Sequence, residues 1–109
     1  MKEAALRFIG KHDFAAYMSS GSDIKDTTRT IVSASVARDG DVVIFRVAAD
    51  GFLYNMVRIL TGTLISVAEG RLSPSDIDGV TESRDRHKAG VTAPAEGLYL
   101  RRVVYREEN

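Results

Sequence analysis

The sequence predicts a two-layer α+β domain, with helices packed against one face of an antiparallel sheet. Three observations carry that prediction. Two runs rich in β-branched and apolar residues, Thr30–Ala37 and Val42–Ala48, flank the tetrapeptide Arg38-Asp39-Gly40-Asp41. Asp-Gly tolerates the positive φ angles of a tight turn, so the two runs read as an antiparallel hairpin. Next, Leu53, Met56, Val57, Leu60, Leu64, Val67 and Ala68 recur at i, i+3 and i+4 spacing. That period predicts one long amphipathic helix from about Phe52 to Ala68. Finally, Leu98–Tyr105 returns to a strand pattern with Leu98, Leu100, Val103 and Tyr105.

The remaining elements follow in chain order. Glu3–Ile9 holds good helix formers and reads as a short helix that Gly10 stops. Asp13 is placed to cap a second short helix carrying Phe14, Ala15, Tyr17 and Met18. Ser19–Thr28 is polar, contains Gly21, and reads as a loop. Gly62 lies inside the long helix, where glycine costs about 1 kcal/mol relative to alanine. A close backbone approach by another element would offset that cost. Gly70 ends the helix. Ser73-Pro74-Ser75-Asp76 is a helix start, with serine as N-cap, proline at the first position and an acid at the third. Ile77 and Val80 are the buried residues expected there, and Arg84–Gly97 reads mostly as loop.

At 109 residues the chain suffices for one domain with a modest core, and 44% hydrophobic residues is too many for a disordered chain. Fifteen basic and fifteen acidic side chains cancel, which argues against strong non-specific nucleic-acid binding but leaves room for a local basic patch. There is no cysteine, so disulfides, thiolate metal sites and cysteine nucleophiles are excluded. The opening Met1–Phe8 carries charge and no long apolar block follows it, so no secretory signal is expected. Asn55 and Arg58 interrupt the longest apolar helical stretch, which opposes a membrane span. The expected setting is soluble and cytoplasmic.

Arg58 is the first candidate for chemistry. Its side chain is always charged, yet it sits within an apolar helical pattern. Either it pairs with a surface carboxylate, or it is buried against an acid or phosphate. No acid lies three or four residues away: those positions hold Tyr54, Asn55, Thr61 and Gly62. A partner would then come from far along the chain or from another chain. Tyr54, one turn earlier on the expected helix, either stacks on a base, packs under the arginine, or rims the core. Phe52 reads as core. The segment from Ala89 to Leu98 holds Thr92-Ala93-Pro94 and Gly97-Leu98, either a small apolar platform or an ordinary loop entering a strand. Arg84, Arg86, His87 and Lys88 surround Asp85; this cluster is either solvated surface or a set of phosphate contacts. His12-Asp13 is not a catalytic pair, since adjacent residues do not bond in that manner and no Gly-x-Ser-x-Gly is present. His12 and His87 have no metal-ligand spacing.

Gly51-Phe52-Leu53-Tyr54-Asn55-Met56-Val57-Arg58-Ile59-Leu60, then Gly62-Thr63, Gly70, Asp85-Arg86, Ala89-Gly90, Thr92-Ala93-Pro94 and Gly97-Leu98-Tyr99-Leu100, resembles the C-terminal half of a TruA-type tRNA pseudouridine synthase. The resemblance runs from Phe8–Phe14 through Thr28-Arg29-Thr30 to Val104-Tyr105. It implies half of a pseudouridine synthase fold, two-layer and ferredoxin-like. It implies isomerisation of uridine to pseudouridine in the tRNA anticodon stem-loop, by a homodimer that needs no cofactor or metal. Arg58 then faces a nucleophilic aspartate across a cleft, Leu98 lines the uracil pocket beside Tyr54, and His12 lies near the domain junction, with a structural or RNA-facing role. None of Asp13, Asp50, Asp76, Asp78 or Asp85 sits in the aspartate's motif. The expectation is therefore one domain, residues 1–109, of a longer enzyme, inactive without the N-terminal half. The alternative is a non-catalytic RNA-binding or dimerisation module of the same fold.

Overall fold

A computed structural model describes residues 2–19, 26–40, 42–53, 55–90 and 103–104. Among these, the chain runs α1 (Lys2–Leu6), β1 (Gly10–Asp13), a 3-10 turn at Ala15–Tyr17, β2 (Thr28–Asp39), β3 (Val42–Ala49), α2 (Met56–Ala68), α3 (Asp76–Ser83), a 3-10 turn at Arg86–Lys88, and β4 (Val103–Val104). The strands lie in the order β1-β2-β3-β4.

The hairpin forms where the sequence places it. Asp39 pairs with Val42, leaving a two-residue loop, and Gly40 takes φ +59°. β2 is longer than its β-branched run, because its first residues pair with β1. β1 was not expected: Gly-Lys-His-Asp has little intrinsic strand preference. Its pairing with β2, Gly10 to Ile31 through Asp13 to Thr28, makes it a strand.

A bulge decides which side of β2 enters the core. Ile31 pairs with Ala49 but Ser33 pairs with Ala48, so Val32 is the extra residue. Ile31 and Ala34 are three apart and would face opposite ways in a regular strand. With Val32 bulged outward, at 49% exposure, both are buried. Opposite them on β3, Val47 and Ala49 alternate onto the same face. Ser33, Ser35 and Arg46 occupy the other, exposed face. The two-layer α+β arrangement thus holds: the core joins Phe8, Phe14, Tyr17, Ile31, Leu53, Met56, Ile59, Leu60, Leu64, Ile77 and Val80 in one cluster. β2 and β3 pair antiparallel as expected, and β1 joins β2 in the same sense. β4 adds a feature the pattern did not contain, pairing parallel to β3 at Ala48–Val103. The connection between them passes through α2 and α3, the length of chain that a parallel crossover needs. The rest of the expected strand Leu98–Tyr105 lies outside the described residues.

The long helix begins at Met56, not near Phe52, because Asn55 is in the left-handed conformation, at φ 59° and ψ 11°. The Asn55 amide nitrogen donates to Ser19 Oγ at 3.1 Å. Leu53 is still buried and Phe52 still packs on the core, but the helical register does not reach them. At α3, Asp76 Oδ2 accepts the Ser73 N–H at 2.8 Å and Asp76 N–H donates to the Ser73 carbonyl at 3.0 Å. This is one limb of the capping box that the sequence suggested. The Ser73 backbone bond holds the Asp76 carboxyl below the usual carboxylate range.

At the N-terminal end, α1 is shorter than Glu3–Ile9. Arg7, Phe8 and Ile9 continue it through bonds to carbonyls three residues back, and Gly10 then turns the chain at φ +115°. Asp13 caps as expected, accepting the Ala15 N–H at 3.0 Å, although it starts only a 3-10 turn. α3 closes over that turn through Tyr17, whose hydroxyl lies 2.8 Å from Thr81 Oγ1.

Candidate active-site face of the long helix

Arg58 stands in the first turn of α2, half-buried, and makes an interaction of its own. Tyr54 and Leu98 lie outside the described residues. The helix itself begins at Met56, after the left-handed Asn55.

The face of α2 that carries Arg58 continues, one turn on, to Gly62. Gly90 lies directly on it. A methyl group at Gly90 would come within 2.6 Å of the Gly62 carbonyl oxygen and 2.7 Å of Thr63 Cα. No side chain fits there, so the close approach expected at Gly62 is made by a second glycine. The Gly90 N–H donates to Thr63 Oγ1 at 3.0 Å, and the Gly90 carbonyl accepts from Arg86 Nη1 at 2.8 Å. The helix consequently buries more than its apolar stripe. Gly62, Thr63 and Ser66 are buried too. Thr63 and Ser66 satisfy their hydroxyls on the carbonyls of Ile59, at 2.8 Å, and Gly62, at 3.2 Å. Hydrophobic periodicity cannot reveal a buried face made of small polar residues; paired glycines are the signal that could have found it.

The basic cluster divides. Arg86 turns inward to Gly90 and is half-buried. Arg84 ends α3 in the left-handed conformation at φ 54°, and its Nη1 lies 3.8 Å from Asp13 Oδ2. Lys88 and His87 are exposed. Asp85 caps their turn by accepting the His87 N–H at 2.9 Å, the main reason its carboxyl is held below the usual range. His12 pairs across β1–β2 with Arg29, and its Nε2 lies 3.1 Å from the Ile9 carbonyl oxygen. Its ring meets Phe14 edge-on at 5.6 Å. His12 and Arg84 therefore reach the same end of β1, but consecutive residues 12 and 13 point to opposite sides of a strand. Arg84 and Lys88 are the basic side chains of the 84–88 segment that present a fixed positive charge to solvent.

Arg29 also borders this region, unanticipated by the sequence. Its Nε would lie 3.4 Å from a methyl group placed on Gly51, just ahead of α2. Its Nη1 donates to the Asp26 and Thr28 carbonyls at 2.9 and 2.7 Å. Among the described residues, no group of three or more His, Cys, Asp or Glu side chains could hold a metal ion. No helix among them is long and apolar enough to cross a membrane.

A family model described as tRNA pseudouridine synthase matches residues 4–106. The chain belongs to that family. It is 52% identical over 105 residues to tRNA pseudouridine synthase A of Acetivibrio thermocellus, an alignment covering 96% of this chain and 43% of that protein. It is 50% identical over 105 residues to tRNA pseudouridine synthase A 2 of Clostridium tetani, covering 96% of this chain and 42% of the relative. With tRNA pseudouridine synthase A of Geobacillus kaustophilus the identity is 47% over 108 residues, covering 99% and 42%. The chain thus spans less than half the length of the curated relatives it matches. In this synthase family member, the Arg58 face of α2 and the Gly90 seam are contiguous.

Proposed function

We propose that the chain is the C-terminal domain of a tRNA pseudouridine synthase that isomerises uridine in the tRNA anticodon stem-loop. The observation that carries this reading is the identity of about half its residues with proteins named tRNA pseudouridine synthase A, sustained over 96% of the chain. The seam at Gly62 and Gly90 supports it, because it begins the segment bearing Leu98 one turn from Arg58. The nucleophilic aspartate comes from another domain of the whole enzyme. It attacks the nucleoside, the glycosidic bond breaks, and the uracil is reattached through C5, which gives up its proton. The base must leave its stack to reach the site.

Arg58 orients that carboxylate and keeps it ionised by charge pairing. Tyr54 and Leu98 receive the base, and His12, Arg84 and Lys88 supply RNA contacts. No cofactor or metal takes part. The whole enzyme works as a cytoplasmic homodimer.

Tritium release from C5-labelled uridine in tRNA tests the reading. The whole enzyme should release the label, and this chain alone should not. Release by the chain alone would overturn the division of the site between domains. No release by the whole enzyme, with tRNA still bound, would favour a binding module.

A further inference from the structure

The Gly90 peptide is held at both of its polar groups and along its Cα. Thr63 Oγ1 takes its N–H at 3.0 Å, Arg86 Nη1 reaches its carbonyl at 2.8 Å, and its Cα faces the Gly62 backbone with no room for a methyl group. We infer that Thr63 and Arg86 are positioning residues for the reaction, a clasp that fixes Gly90 against the face of α2 that carries Arg58 and so fixes the point from which the chain runs on to Leu98. The inference rests on the synthase reading above.

Thr63 is fully buried, and its single hydroxyl proton is committed to the Ile59 carbonyl at 2.8 Å. Its oxygen is therefore presented to Gly90 purely as an acceptor, in one orientation. Gly62 and Arg58 are separated by one turn, about 6 Å along the helix axis. The far end of the same stretch of chain is also fixed, since Val103 pairs with Ala48 on β3. Both anchors belong to rigid elements, and a displacement of about 1 Å at a reacting site can cost a hundredfold in rate.

The test uses the whole enzyme, with single-turnover tritium release at saturating tRNA and tRNA affinity measured separately. Wild-type turnover is recorded first; its absence would count against the synthase reading and not against the clasp, which hydrogen exchange at the Gly90 amide examines without catalysis. Thr63→Val keeps the shape and removes the acceptor. It should expose the Gly90 amide to exchange and slow the single-turnover rate tenfold or more, with tRNA affinity within twofold. Thr63→Ser should restore protection and rate. Arg86→Gln should slow the same step. Unchanged Gly90 exchange in Thr63→Val would overturn the clasp. A rate that stays at the wild-type value, or that falls without rescue by Thr63→Ser, would overturn the positioning role.

Discussion

Thr63 on α2 and Thr81 on α3 each donate a hydroxyl proton to the carbonyl four residues earlier, Ile59 at 2.8 Å and Ile77 at 3.0 Å. Both are buried. They differ in what they receive. Thr81 Oγ1 meets the hydroxyl of Tyr17 at 2.8 Å, and because its own proton is already committed, Tyr17 is the donor. That bond joins α3 to the turn at Ala15–Tyr17 inside the core. Thr63 Oγ1 receives a backbone N–H from Gly90, at the edge of the face that carries Arg58. One local motif thus serves packing in the first region and placement of a chain segment in the second. What decides between them is the donor that tertiary structure delivers to the same kind of oxygen.

The sharpest separation of the two regions should come from Arg58→Lys in the whole enzyme. Lysine keeps the charge and loses the planar fork that grips a carboxylate. The single-turnover rate should fall about a hundredfold, equivalent to about 2.7 kcal/mol, while the melting temperature stays within about 2 °C. A rate unchanged by the substitution would return Arg58 to an ordinary ion pair and remove the contrast.

The packing region should show itself in alkali. Burial pushes the Tyr17 hydroxyl from its ordinary 10.0 up to about 12, with Asp78 adding to the rise. A folded-state value above the unfolded one favours the neutral hydroxyl on folding. Its contribution is complete below pH 10 and is lost as pH rises through 12. The shift corresponds to about 2–3 kcal/mol at most. Denaturant unfolding across that window should show a decline in wild type that Tyr17→Phe flattens. An equal decline in both would mean that another group sets the alkaline limit.

Gly90→Ala should disturb the seam, since its methyl group meets the Gly62 carbonyl oxygen at 2.6 Å. Overpacking of this kind costs about 1–3 kcal/mol. Chemical denaturation measures it, and no loss of stability would show that the seam yields freely. The smallest effect is expected from Thr81→Val, about 1–2 kcal/mol from leaving the Tyr17 hydroxyl without its acceptor. In the whole enzyme this variant should lose stability while keeping its single-turnover rate below the melting transition. A rate loss like that of Thr63→Val would erase the distinction between the threonines.

What could be read along the chain was whatever depends on neighbours in sequence. Gly40 and Asp39 specify the hairpin turn, the stripe Met56, Leu60 and Leu64 specifies the buried side of α2, and Ser73 with Asp76 specifies the start of α3. The arginine among apolar residues and the motifs around it were equally legible, and they led to the family. Tertiary structure decided the rest. Gly10–Asp13 becomes a strand only because β2 offers it unpaired backbone groups. Val32 bulges because Ile31 and Ala34 must both reach the core. Asn55 holds a left-handed conformation with its amide on Ser19, a residue far away in sequence, and so delays the helix. The Gly90 seam has the same origin: a buried acceptor, a buried glycine backbone and an inward-turned arginine have no periodicity, and they acquire meaning only where the chain returns to the helix it left behind.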